Sequence, residues 1–202
     1  MSITTYTELK AAIADWLNRD DISDARLSDF VQMAENRIFH VLRIPPMERY
    51  ANITTDSEGK VAIPGDFLEA KDVIFNSKAL DRISTTEFYA RDALQGTPIS
   101  FMRETVYLRL WPTPGPDLTG LSLIYYALPT ALSASNATNA VFSMAPELYL
   151  YGALVAAGVY HGSPVEKIQV WSETFNDTMQ RLMENARQSE VSGATNTVQI
   201  GY

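Results

Sequence analysis

Residues 146–160 read PELYLYGALVAAGVY, and the way this stretch is covered decides the fold. At helical period Leu148, Gly152, Val155 and Val159 line one face while Tyr149, Ala153, Ala156 and Tyr160 line another, so no polar face remains after Glu147. A helix that is apolar on every side has to be buried on every side. Bounded by Glu147 and His161, it falls short of the ~20 apolar residues that a bilayer span requires, so its cover must be protein. The small residues Gly152, Ala153, Ala156, Ala157 and Gly158 add a demand for closeness. Glycine inside a helix costs about 1 kcal/mol relative to alanine, a cost that is offset where another backbone approaches. Two arrangements satisfy this. One is a central core helix within a single domain. The other is a helix squeezed between its own domain and a neighbouring subunit, with Gly152, Ala153 and Ala156 as the subunit-packing residues.

Working outward, Gly162-Ser163-Pro164 stops this helix, and a last helix follows in which Ile168, Trp171, Phe175, Met179, Leu182 and Ala186 step by threes and fours. Past Gln188 the segment SEVSGATNTVQIGY loses its helical signals and ends with Val198, Ile200 and Tyr202 alternating with polar residues. That pattern reads either as a frayed terminus or as a strand that adds to another chain by β-augmentation. On the other side, residues 129–144 are rich in Ala, Ser, Asn and Thr with little periodicity, and read as a loop returning the chain to the helical part.

At the N-terminus Thr5-x-x-Glu8 is a capping-box pattern. Leu9, Ala12, Ile13, Trp16 and Leu17 follow at helical spacing, which predicts a helix over residues 6–18. A second stripe, Leu27, Phe30, Val31, Ala34, Ile38, Val41 and Leu42, ends before Pro45-Pro46, and the short link between the two predicts an antiparallel hairpin. The period then changes. Residues 51–55 and 60–63 flank the turn composition Asp56-Ser57-Glu58-Gly59 and predict a β-hairpin, and residues 71–75, 98–103, 106–111 and 121–126 read as further short strands around a short helix at 85–93. The fold class expected is therefore α+β: an antiparallel helical bundle from residues 1–46 and 130–188, a β-rich domain inserted at 47–129, and an extended C-terminal arm at 189–202.

A chain of 202 residues with 46% hydrophobic and 20% charged residues can bury an ample core, which excludes disorder over most of its length. The absence of cysteine excludes disulfides, a thiolate nucleophile and cysteine-based zinc sites. The lack of cysteine fits an intracellular, or otherwise disulfide-free, origin; the opening MSITTYTELK has neither a basic nor an apolar region of a cleaved secretion signal, so secretion by such a signal is not expected and the sequons at Asn52, Asn136 and Asn176 are chance. A net charge of -8 argues against wrapping nucleic acid, which rests on neutralising phosphates, yet it suits a surface that DNA slides past.

No Gly-rich phosphate loop, G-x-S-x-G elbow or H-E-x-x-H motif is present. His40 and His161 are too few for a histidine metal cluster. The carboxylates Asp20 with Asp21, and Asp66 with Glu69, are pairs of a kind that any acidic protein offers. Catalytic, cofactor and metal residues are all assigned as none. The alternative from another class is a small acidic hydrolase acting on peptidoglycan, with acidic residues as acid and base.

Six stretches, in order, carry a resemblance: TYTELKxAIADWLNRDD at 5–21, FVxxAENRIxxxLR at 30–43, VAIPGDFLE at 61–69, LxLWPxP at 108–114, LIYYALP at 123–129 and APELYLYGAL at 145–154. Together the chain resembles the head-to-tail adaptor proteins of tailed bacteriophages, over nearly its whole length. It departs from them at Asn139-Ala140-Val141-Phe142, where family members often carry a Trp. The resemblance implies a structural virion protein at the head–tail junction, made in the bacterial host cytoplasm, with no membrane association. It implies a homo-oligomer, a dodecameric ring beneath the portal protein, that continues the DNA channel without specific DNA binding and meets a tail or nozzle protein. It also implies a C-terminal arm reaching the portal, which makes Val198, Ile200 and Tyr202 the portal-binding residues.

Overall fold

The computed structural model describes residues 3–193 and is α+β, with six α-helices and two four-stranded sheets among the described residues. The helices are α1 (Tyr6–Leu17), α2 (Asp24–Val41), α3 (Thr85–Ala90), α4 (Ala140–Met144), α5 (Pro146–His161) and α6 (Val165–Gly193). The chain divides into two compact units, one from Met1–Met47 with Pro129–Tyr202 and the other from Glu48–Leu128.

In the helical unit α1 and α2 start at side-chain caps. The Thr5 hydroxyl accepts from the Glu8 N–H, and the Glu8 carboxylate accepts from the backbone N–H groups of Thr4 at 2.7 Å and Thr5 at 3.0 Å. These bonds, Thr4's first, hold the Glu8 carboxyl below the usual carboxylate range. Ser23 caps α2 through the Arg26 N–H. Pro146 opens α5, where no backbone donor is needed, and Gly162 closes it in the left-handed region at φ 66.

Helices α1, α2 and α6 all pack on α5. Residues Leu148, Tyr149, Leu150 and Gly152 to Gly158 are buried. The cover does not extend to the last turn, where Val159 and Tyr160 are 65% and 58% exposed, so the expectation of burial on every side holds for the first three turns. At the end of the helix the Phe30 ring lies 5.6 Å from the Tyr160 ring and the Arg26 guanidinium 4.9 Å above it.

The glycines mark the closest approaches. A Cβ on Gly152 would stand 2.9 Å from Ala34 Cβ on α2 and 3.0 Å from Phe175 Cε2 on α6. One on Gly158 would stand 2.9 Å from Trp171 Cζ3. The last helix runs further than its stripe predicts. Nothing that breaks a helix occurs before Gly193, so residues 189–193, expected in the extended arm, belong to α6. Val198, Ile200 and Tyr202 lie outside the described residues. The expected loop before α5 holds a short helix as well, α4, started by Asn139, whose Oδ1 accepts from the Phe142 N–H at 2.8 Å.

The β unit contains β1 (Glu48–Ile53), β2 (Lys60–Ala62), β3 (Phe67–Phe75), β4 (Lys78–Ala79), β5 (Asp81–Arg82), β6 (Ser100–Glu104), β7 (Tyr107–Trp111) and β8 (Leu121–Ala127). One sheet has the order β1-β8-β3-β4 and the other β2-β7-β6-β5. Both contribute to a single apolar cluster, with Ile53, Val73, Leu121, Leu123 and Tyr125 from the first and Val61, Phe101, Leu108 and Leu110 from the second. The alternation in 106–111 holds inside β7, where Leu108 and Leu110 are buried and Tyr107 faces out.

The hairpin expected from 51–63 is corrected. The turn exists, since Asp56 Oδ1 accepts from the Glu58 and Lys60 N–H groups, both at 2.8 Å. Its two arms nevertheless part, β1 pairing with β8 and β2 with β7. Thr55 is the cause. It is buried, its hydroxyl donates to Gly115 O and accepts from the Leu118 N–H, both at 2.9 Å, and its carbonyl accepts from the Asp117 N–H at 3.1 Å. These bonds commit the end of β1 to the 115–118 loop instead of to β2.

The close contact at Gly152 makes a sign prediction. Gly152→Ala gains about 1 kcal/mol of helix propensity but forces a Cβ against Ala34, whose own Cβ is fixed to the α2 backbone, and overpacking of that kind costs about 1–3 kcal/mol. Thermal unfolding should shift down by a few degrees. Gly65→Ala, which meets nothing within 4 Å, should leave the melt unchanged. A Gly152→Ala variant that melts higher than its parent would show that α2 and α5 are not held this close.

Candidate interaction surfaces

The segment that returns the chain to α5 is fastened by polar groups that helical periodicity alone does not single out. On α2 the buried stripe runs through Val31, Ala34, Glu35 and Ile38, so a carboxylate occupies an apolar position. Glu35 is 3% exposed, and its Oε1 accepts from the Leu132 N–H at 2.8 Å. Burial pushes its pKa up to about 7, against the smaller lowering effect of the Leu132 N–H. Tyr149, fully buried on α5, donates its hydroxyl to Asn139 Oδ1 at 3.0 Å, and burial raises its phenol above the ordinary range, with the Glu35 charge adding to the rise.

Asn139 is thus used three ways. Its Oδ1 also caps α4, and its Nδ2 donates to Thr130 O at 3.0 Å. Asn136 Nδ2 donates to Ala131 O at 2.9 Å, and the Tyr6 N–H donates to Ala137 O at 2.8 Å, tying the segment to α1. Phe142 is fully buried with its ring 5.1 Å from Tyr149, edge to face. Val141 and Phe142, both fully buried, therefore serve the interior of the helical unit.

Of the residues assigned from sequence, Gly152 and Ala153 are buried inside the subunit and Ala156 lies at the edge of burial. His161 packs 4.8 Å from the Tyr160 ring, while His40 is exposed on α2. The acidic pairs are engaged separately. Asp21 is held down to about 2 by its hydrogen bonds from Arg19 at 2.8 and 2.7 Å, Asp66 accepts from the Tyr125 hydroxyl at 3.1 Å, and Glu69 faces Arg82 at 3.7 Å. Among the described residues no group of three or more His, Cys, Asp or Glu could hold a metal ion, and no helix is long and apolar enough to cross a membrane.

Two of the concave surfaces on the helical unit lie between helices. A cleft of about 460 Å³ between α1 and α5 is lined by Ala12, Asp15, Trp16, Glu147, Leu150 and Tyr151. A groove of about 590 Å³ between α2 and α6 is lined by Arg37, His40, Val41, Val155, Met179 and Met183, among others. The cleft sets its apolar residues beside the carboxylates of Asp15 and Glu147, and the groove sets them beside Arg37, His40, Ser172, Asn176 and Gln180.

The SU10 adaptor protein family matches the chain over residues 4–199. The chain belongs to that family. Comparison with individually curated proteins gives no match. The match makes this adaptor a structural component of a phage virion, with portal and tail proteins as its partners. It runs through α1 to α6, through both sheets and into the segment beyond α6, so every surface described above belongs to the adaptor architecture.

The buried carboxylate has a pH signature. An unfolded glutamate titrates near 4.5 and Glu35 in the fold near 7. Between these values the folded chain keeps a proton that the unfolded chain has released, so Glu35's contribution to stability falls as pH rises through this window, by on the order of 3 kcal/mol in all. Glu35→Gln keeps an acceptor for Leu132 and removes the titration. In urea unfolding the variant should therefore gain on the parent between about pH 5 and about pH 8. A stability difference that stays constant over that range would contradict a buried, high-pKa Glu35.

Proposed function

We propose that this adaptor is a non-enzymatic virion protein that forms a ring beneath the portal, continues the DNA channel and attaches the tail. The family match over 4–199 carries the reading. The helical unit makes the dodecameric ring, with Gly152, Ala153 and Ala156 keeping α5 tight against its neighbours so that the outer faces are rigid. The β unit faces a tail or nozzle protein. A net charge of -8 per copy gathers negative potential around a common axis, which repels phosphates and lets DNA pass unbound.

The portal contact falls to the segment that follows α6. Val198, Ile200 and Tyr202 alternate with polar residues, the pattern that adds a strand to a partner's sheet edge through main-chain hydrogen bonds and pockets for alternate side chains. Deleting residues 194–202 should leave the circular dichroism and melt of the rest unchanged while abolishing co-sedimentation with portal-bearing heads. Wild-type occupancy of the heads by the truncated chain would remove the segment from the docking contact.

A further inference from the structure

We propose that neighbouring copies join head to tail, the Met33–Arg37–Val41 stripe on α2 of one copy seating in the cleft between α1 and α5 of the next. The inference rests on the ring reading and names the contact that would build the ring.

The cleft has an apolar floor and an acidic rim. Ala12 and Leu150 lie at its base, and Trp16, 43% exposed, stands edge-on to Tyr151 with ring centroids 5.6 Å apart. Asp15 and Glu147 carry its charge, Glu147 facing Arg181 at 3.9 Å. The stripe on α2 has the complementary pattern. Met33 and Val41 are 50% and 54% exposed and sit four residues on either side of Arg37, on one line of the helix. The line is ~12 Å long, with His40 beside it. Two apolar ends match an apolar floor, and a guanidinium matches both an aromatic wall and a pair of carboxylates, the two surfaces that arginine favours.

The complementarity also sets the symmetry. Cleft against cleft would oppose carboxylates, and stripe against stripe would oppose cations, so a twofold pairing of either face with itself is disfavoured. The contact is heterologous, and such a contact closes into a ring when its rotation is a simple fraction of a turn. Because the cleft uses α1 and α5 while the stripe uses α2, one copy can offer both at once.

The test uses the full chain, whose lack of cysteine makes introduced thiols unambiguous. Arg37→Glu damages the stripe and leaves the cleft, and Asp15→Arg damages the cleft and leaves the stripe; both positions are exposed, and unchanged melts confirm folding. By native mass, each variant alone should be monomeric where wild type is multimeric. An equimolar mixture should recover association, the intact stripe of one variant seating in the intact cleft of the other. In particles carrying an Asp15→Cys, Arg37→Cys chain, oxidation should give a ladder of multimers that either single cysteine variant does not. Wild-type multimers whose mass survives both charge reversals, with no ladder, would overturn this contact and leave the ring reading standing. A wild-type chain that is monomeric in solution and present as single copies in particles would overturn both.

Discussion

Everything in the helical unit depends on burying a helix that has no polar side. Three helices, α1, α2 and α6, pack on α5, and α2 and α6 do so at close range because Gly152 and Gly158 present no Cβ where Ala34, Phe175 and Trp171 come in. At this distance side chains interdigitate at interior density, where a single extra methyl group is felt. The glycines give up helix propensity locally and gain a packed interface that stabilises the whole unit. The result suits a component that must hold its shape against neighbours, because faces built on tightly packed helices are positioned more precisely than faces built on loops.

A second constraint is the return of the chain to α5. A segment rich in Ala, Ser, Asn and Thr has little apolar surface with which to hold itself down, so its order comes from directed hydrogen bonds. Glu35 reaches out of an apolar stripe for the Leu132 N–H, and Asn139 binds Thr130, Phe142 and Tyr149 together. A buried carboxylate with one backbone donor is an expensive way to fasten a loop. It is also directional, because the Leu132 N–H has to point at the carboxylate.

The helical parts were legible because period and capping agreed. Thr5 with Glu8 starts α1 and Gly162 ends α5, each next to an apolar stripe of the right spacing. What could not be read were the features that depend on distant partners. The Asp56–Gly59 turn is a real turn, but the choice of β8 over β2 as the partner of β1 is made by Thr55 with a loop sixty residues away. α4 escaped notice because a five-residue helix has too few positions to show a period. The one available signal for Glu35 was its place between Ala34 and Ile38 on the stripe, where a charge either turns outward or finds a buried partner. Exposed apolar residues such as Val41 and Trp16 were inseparable from core residues in the sequence, since both fall at helical spacing, and they became readable as surface only once the packing was known.

The proposed place of the adaptor is a ring at the junction of head and tail, and the most direct test is to see it there. Cryo-electron microscopy of intact particles should show this fold repeated around the DNA axis between portal and tail, with helical units in contact from copy to copy and each β unit turned to the tail component. Density for the adaptor that is absent from that junction, or present as isolated copies that leave the channel open between portal and tail, would contradict it.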